Sequence, residues 1–331
     1  MAIYLKKFKS DADYQAYIGG ENAVLPNVSL IKDDNVVKYK PYVPPVPITY
    51  YATDKLVETT ATGSTDGLHV NAFNSPMVSH EFVDGVGTIT FEEDITSIGN
   101  YAFYNCSGLT GILIIPDSVT SIGNNAFTRC SGLTGITIPD SVTNIGSSAF
   151  YGCSGMTEVT IGAGVTSIGE TAFYNCTGLT GITIPDSVTS IRRGAFYNCS
   201  GLTSLTIGSG VTSIGETAFR NCSGLTGALI IPDSVTSIGN YAFYYCSGLT
   251  GVTIGSGVTS IGSNAFYGCS GMTEITCHAI VAPTISSSTF YNVKSGGTLY
   301  VPAGSTSRYS TWMGTGNYYL GKYNWTIQEI S

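Results

Sequence analysis

Cys106, Cys130, Cys153, Cys176, Cys199, Cys222, Cys246 and Cys269 follow one another every 23 residues, twice after 24, and each is preceded by Ala-Phe at the same offset. A period this regular marks a solenoid, in which one supersecondary unit is stacked many times and each copy contacts only its neighbours.

One copy, Leu133 to Cys153, can be read residue by residue. Leu133, Ile136, Ile138, Val142, Ile145, Ala149, Phe150 and Cys153 are apolar, and the residues between them are small or polar. Ile136-Thr137-Ile138 alternates with period two, which predicts a strand with both isoleucines inward and Thr137 outward. Pro139 closes that strand because it has no N–H for a ladder. Val142 and Ile145 line a second short extended segment. Phe150 and Cys153 lie three apart, which predicts one turn of 3₁₀-like helix carrying both inward. No copy buries these side chains alone; stacked at about 4.8 Å per rung they form one continuous core.

The recurring text ITIPDSVTSIGxxAFYNCSGLT resembles the BspA-type leucine-rich repeat family, found largely on proteins exposed at bacterial surfaces. The resemblance spans residues 84–302. It implies a curved β-solenoid with parallel strands and short 3₁₀ turns, used for binding rather than catalysis, and it carries no catalytic residue across.

Charge and hydropathy agree with a packed, non-nucleic-acid-binding protein. Charged residues make up only 11%, but 43% of the chain is hydrophobic at strict spacing, which argues against disorder. Net charge is −8, and no lysine occurs between Lys55 and Lys294. Phosphate contacts need clustered Lys and Arg, so nucleic acid is not an expected partner. No apolar run approaches the ~20 residues of a membrane helix, and no apolar signal-peptide core opens the chain.

Residues 1–46 are a different text and predict a small α+β module. Ser10 can cap a helix from Asp11 to Ile18, and Val28–Ile31 and Val36–Tyr39 read as a hairpin around Asp33-Asp34-Asn35. The stretch LPNVSLIKDDNVVKY resembles the N-terminal module of some gut-bacterial surface and prophage tail proteins. Four prolines between Pro41 and Pro47 predict a stiff linker. Residues 47–83 then form a β cap, with Ile48–Ala52 and Leu56–Thr60 expected to pair. The solenoid begins near Gly85, with Ile89-Thr90-Phe91 in the first strand slot, and has ten strand rungs ending at Leu299-Tyr300-Val301. The aromatic-rich segment 303–331 is expected to cap its other end. Gly111–Pro116 and Gly227–Pro232 each carry one extra residue, which predicts a bulge in each strand.

The chemistry-bearing residues have structural readings. The cysteines occupy one inward slot per turn, so they point alongside each other, an orientation unsuited to disulfides, and their spacing matches no zinc motif. They are expected to be free and buried. Cys277 and His278 are adjacent on a strand and face opposite ways, which excludes a dyad. Asp140, Asp186 and Asp233 stand on non-adjacent rungs, too dispersed for calcium. No cofactor, metal or catalytic residue is expected. At the slot after Ile, glycine recurs except at Arg192, which implies ordinary backbone there. Arg193 aligns with Glu170 and Glu216 on the flanking rungs and predicts a Glu-Arg-Glu ladder.

Candidate ligand-binding residues lie on the surface columns. The strand column Thr137, Thr160, Thr183, Thr206 and Thr253 is polar and nearly uncharged. A second column holds Tyr151, Tyr174 and Tyr197, which supply amphipathic area at low entropic cost or else shield the core. The cap adds Trp312, Tyr318 and Tyr319. The expected function is recognition or adhesion, binding a protein or carbohydrate outside the cell or at its surface; the alternative is a structural or receptor-binding part of a phage-like tail.

Overall fold

The structure, a computed structural model, describes residues 28–33, 36–41, 46–52, 58–59, 66–286, 288–316 and 319–330. The chain divides into two compact units, Met1–Val46 and Pro47–Ser331. In the first, Val28–Asp33 pairs antiparallel with Val36–Pro41, as the hairpin reading expects. The helix expected over 11–18 lies outside the described residues.

The second unit is a β-solenoid. Each turn contributes a longer strand and then a two-residue strand. Nine two-residue strands, from Ser97–Ile98 to Thr284–Ile285, form one parallel ladder in chain order. We number turns 1 to 9 by these short strands. The longer strands are Leu109–Ile114 in turn 2, Leu133–Ile138, Glu158–Ile161, Gly181–Ile184, Ser204–Ile207, Gly227–Ile231, Leu249–Ile254 and Glu274–Cys277 in turn 9. They pair in parallel wherever they are hydrogen-bonded to each other. Between the two ladders the Val, Ala, Phe and Cys slots of every full turn are buried, as are the Ile slots except for the partly buried Val159 and Leu205.

Phenylalanine forms the axis of that core. Phe103, Phe127, Phe150, Phe173, Phe196, Phe219, Phe243, Phe266 and Phe290 stack face to face with centroids 5.0–5.7 Å apart. Burying each ring stabilises by roughly 2–3 kcal/mol. The stack is closed at both ends by rings set at an angle. Phe73 meets Phe103 edge-on at 5.9 Å, and Trp312 lies tilted against Phe290 at 5.2 Å.

The Phe-to-Cys segment differs from the 3₁₀ turn expected. In turn 3 the Tyr151 N–H donates to Ser148 O and the Cys153 N–H to Phe150 O, two successive β-turns. Ser148 and Gly152 are left-handed, with φ of 55° and 71°. Consequently the alternate amides of Ser148, Phe150 and Gly152 point along the stack and donate to Glu170 O, Ala172 O and Tyr174 O of turn 4. A 3₁₀ helix would spend those donors within the turn. The left-handed slot before Cys, or before Val293 in turn 9, is filled by Asn105, Asn175, Asn198, Asn221 and Asn292 and by Gly152 and Gly268, the types that adopt this conformation most readily, and in two turns by Arg129 and Tyr245.

All nine cysteines are free and buried. Each thiol from turn 2 to turn 8 donates to the phenylalanine carbonyl one turn earlier, for instance Cys176 Sγ to Phe150 O at 3.2 Å and Cys199 Sγ to Phe173 O at 3.1 Å. Arg192 is not left-handed, as inferred. Its column is glycine in turns 1 to 4 and 6 to 8 for close packing: a Cβ on Gly146 would lie 2.5 Å from the carbonyl carbon of Gly123. The Glu-Arg-Glu ladder reduces to one contact. Arg193 Nε lies 3.8 Å from Glu216 Oε2, with both side chains about half exposed or more, and no Glu170 pair accompanies it among the described residues.

The long-strand ladder is not the single sheet that the repeat predicts. It parts between turns 4 and 5 and again between turns 6 and 7. At both places a strand ending in Ile-Gly, Ile161-Gly162 or Ile207-Gly208, is followed by one ending in Ile-Pro, Ile184-Pro185 or Ile231-Pro232. Proline withholds the N–H that the ladder needs. At Pro139, which follows another proline turn, the ladder persists, so a missing N–H alone does not open it; both openings fall at a Gly-to-Pro succession. Across the complementary Pro-to-Gly junctions, aspartate clasps the turns together. Asp140, Asp186 and Asp233 accept the backbone N–H of Ala163, Ser209 and Ser256 at 2.6–2.7 Å. The long strands therefore fall into three groups, turns 2 to 4, turns 5 and 6, and turns 7 to 9, with one aspartate clasp inside each.

The expected bulges are present, with register shifts at Gly111/Ile112 and Gly227/Ala228 and left-handed glycine at each. The N-terminal cap departs from expectation in two ways. Ile48–Ala52 does not pair with Glu58–Thr59, the described part of the 56–60 segment. It inserts antiparallel between Val86–Phe91 and Leu109–Ile114, so Ile89-Thr90-Phe91 does not join the parallel stack. Glu58–Thr59 pairs instead with Gly67–His69. At the other end Thr326–Ile330 adds a further parallel rung to Thr298–Pro302, so the C-terminal segment continues the sheet as well as closing it.

Candidate functional site

Alternation along the long strands sends every second residue outward. The outward column reads Ile114, Thr137, Thr160, Thr183, Thr206, Ile230, Thr253 and Thr276, with Ile114 opposite Thr137, Thr137 opposite Thr160, Thr183 opposite Thr206 and Thr253 opposite Thr276. Ile114 and Ile230, 67% and 65% exposed, interrupt the polar column that the sequence suggests. Both belong to the bulged strands, where the register shift absorbs the extra residue and isoleucine stands in the threonine slot.

Not all threonine columns are alike. The columns flanking the strands spend their hydroxyls on the fold: Thr143, Thr166 and Thr212 donate to Thr120 O, Thr143 O and Thr189 O, and Thr157, Thr180 and Thr203 donate to Thr134 O, Thr157 O and Thr180 O. Thr160, Thr183 and Thr206 make no such bond among the described residues, and all three are exposed. Where the ladder parts between turns 4 and 5, these three line a cleft of about 430 Å³ with Gly181 and Ser204 and with Val159, Ile161 and Ile182 below. The cleft has hydroxyl walls, an aliphatic floor and no charged group in its lining. Thr137 and Thr253 lie on the same column outside it.

The tyrosine column is a stack rather than a row of open faces. Tyr151, Tyr174 and Tyr197 lie 4.7 and 4.6 Å apart and nearly parallel. Tyr244, Tyr267 and Tyr291 continue it at 4.8 and 5.0 Å. Each ring covers its neighbour, so ring edges and phenol groups meet solvent. Partial burial raises the Tyr174, Tyr244 and Tyr267 phenols above their ordinary value, followed by repulsion from neighbouring phenols. Their hydroxyls therefore remain protonated donors at neutral pH. Between the two halves Arg220 takes the place of a ring. Its guanidinium lies 5.5 Å from the Tyr197 centroid, 4.6 Å from Tyr244 and 5.6 Å from Tyr241.

Trp312 is withdrawn from the candidate surface. It is 1% exposed, packs on Phe290 and Tyr309, and donates Nε1–H to Pro283 O at 2.9 Å. Tyr319 is half-buried beside Gly314 and Gly316. Tyr318 lies outside the described residues.

One titratable cluster escapes the sequence because its members are brought together by the cap. Tyr50 Oη lies 2.5 Å from His80 Nε2, and His80 Nδ1 lies 2.7 Å from Glu58 Oε1. The carboxylate only accepts, so Nδ1 donates to it and Nε2 accepts from the phenol when the imidazole is neutral. Tyr50 and His80 are buried, which makes this relay a tie between cap strands. Among the described residues no group of three or more His, Cys, Asp or Glu is placed to hold a metal ion, and no helix is long and apolar enough to cross a membrane.

Comparison with known proteins places this architecture. The model of the BspA type leucine rich repeat region matches in six copies over residues 83–202 and 226–311. No curated protein sequence matches. Similar solved structures include a leucine-rich repeat protein of Treponema pallidum (21% identity, 65% of this chain and 85% of that one, TM-score 0.44). Another is a leucine-rich repeat protein of Bacteroides ovatus (18%, 94% and 100%, TM-score 0.44). A third is a leucine rich cell surface protein of Faecalibacterium prausnitzii (22%, 92% and 93%, TM-score 0.48). With its repeat text matched over most of the solenoid and every turn built on that text, the chain belongs to the BspA-type leucine-rich repeat family.

Proposed function

We propose that this chain is a non-catalytic recognition protein displayed at a bacterial surface, and that it reads its ligand with the strand face of turns 4 to 6. The observation that carries the reading is the cleft between turns 4 and 5. There the threonine hydroxyls that the fold leaves unbonded stand around an opening in the ladder. Pockets that bind ligands combine an apolar floor with a few placed polar groups. Hydroxyls without charge suit a neutral glycan or an extended stretch of protein backbone. Membership of a family built from core and turn positions supports binding over catalysis.

The test is a screen of printed neutral glycans and extracellular-matrix proteins with the wild-type chain and with Thr183→Arg. The substitution places a long charged side chain in the cleft while leaving the buried face of the strand unchanged. Loss of a wild-type signal in the variant, with an unaltered melting curve, supports the reading. A signal that survives Thr183→Arg at full strength contradicts it.

A further inference from the structure

Arg220 interrupts the tyrosine column on a face other than the strand sheet. Three adjoining columns make up this face: the residue before each Ala-Phe, the residue after it, and the residue before each Cys. From Tyr101 to Asn292 these columns contain tyrosine, asparagine, small residues, Arg129 and Arg220, and no aspartate or glutamate. That is a marked exclusion in a chain with 22 acidic residues against 14 basic ones. The nearest acidic column holds Glu216, whose carboxylate faces Arg193.

Within this acid-free face Arg220 is held but not satisfied. Tyr197, Tyr241 and Tyr244 surround its guanidinium within 5.6 Å, which fixes the side chain by cation–π contact. Its Nε is buried and has no hydrogen-bond partner, and no carboxylate lies within ion-pair distance of it among the described residues. The buried Nε is closed to a ligand, so an oxyanion meets the terminal Nη groups, which make no hydrogen bond among the described residues; a planar guanidinium presenting them matches a planar or tetrahedral oxyanion. The phenol groups of Tyr197 and Tyr244 and the amide of Asn221 stand on the same face.

We propose that Arg220 and the tyrosines around it bind the carboxylate or sulfate of an acidic glycan. The stacked rings keep their faces for each other and offer edges, hydroxyls and amides. These groups suit a hydroxyl-rich chain better than an apolar peptide side chain. The site is independent of the strand-face cleft, so either stands if the other fails.

The experiment measures binding of hyaluronan-derived oligosaccharide (carboxylate), heparin-derived oligosaccharide (sulfate and carboxylate), neutral dextran and a poly-glutamate peptide at physiological salt. The proteins are the wild type, Arg220→Tyr, Arg220→Lys and Thr183→Arg. Arg220→Tyr restores the residue that seven other turns carry in this slot and is expected to fold. The expected result is binding of at least one acidic glycan and not of dextran, a loss of about tenfold or more in Arg220→Tyr, partial retention in Arg220→Lys, and no change in Thr183→Arg. Binding by hyaluronan places the carboxylate at the site; binding by heparin alone places the sulfate. Absence of acidic-glycan binding by the wild type, equal binding by Arg220→Tyr, or equally tight binding of poly-glutamate overturns the proposal.

Discussion

At the scale of single residues, the fold rests on slots whose chemistry the repeat enforces. Burial pushes the Cys153 thiol up to about 12, and likewise Cys106 and Cys269, from an ordinary 9.0, with a hydrogen bond opposing the shift. The thiols should therefore ignore iodoacetamide at pH 8 in the folded protein, and all nine should react after denaturation; modification of a column cysteine in the native state would contradict the packing. The same shift sets a pH window. The folded state holds its thiol protons to higher pH than the unfolded state, so stability is intact below about pH 9 and falls as pH climbs from 9 towards 12. Because Phe150 O stands ready as acceptor, Cys176→Ser should cost only about 1 kcal/mol, at the low end of the usual range for burying a hydroxyl. The left-handed slot before Cys gives a change of opposite sign. Arg129 occupies it with φ of 61°, and Arg129→Asn should stabilise by roughly 0.5–1 kcal/mol, read from a denaturant midpoint.

At the scale of elements, the long strands work in groups, turns 2 to 4, 5 and 6, and 7 to 9. Asp186 accepts from Ser209 N–H across the junction of turns 5 and 6, whereas Asp117, at the equivalent position in turn 2, makes no such bond among the described residues. Asp186→Ala should cost about 1 kcal/mol, and Asp117→Ala close to nothing. Equal costs would show that the clasp has no energetic weight. What the sequence discloses here is uneven. The strand slots, the outward threonines, the buried cysteines and both bulges follow from spacing, because an inward slot that must pack against itself every 23 residues admits few residue types. The openings in the ladder do not follow from any one turn. They depend on the order of Gly and Pro in successive turns, a relation between neighbours. The left-handed slots were signalled by the recurrent asparagine, which the Phe–Cys spacing of three disguised as a 3₁₀ turn. Arg220 is visible as a break in a column, but its burial among three rings depends on where Tyr241 falls.

At the scale of the whole molecule, a stack of like turns has two open ends, and each is closed by aromatic rings set across the phenylalanine column. Trp312 does this at the C-terminal end and also satisfies Pro283 O. Trp312→Ala should cost roughly 3–5 kcal/mol and be felt first in the terminal turns, because coupling in a solenoid passes from neighbour to neighbour. A uniform loss of protection in all nine turns would instead indicate a single cooperative unit. The antiparallel insertion of Ile48–Ala52 was hidden in the sequence, since the pairing partner lies more than 30 residues away and no turn signal links them. Between the closed ends, the face with the strand-column hydroxyls left unbonded is the one we assign to recognition. The most direct measurement is backbone hydrogen exchange with and without the strongest ligand from the glycan and matrix-protein screen. The account predicts slowed exchange over residues 158–161, 181–184 and 204–207, around the opening in the ladder. Slowing confined to the caps or to strands remote from turns 4 to 6, with these segments unchanged, would contradict it.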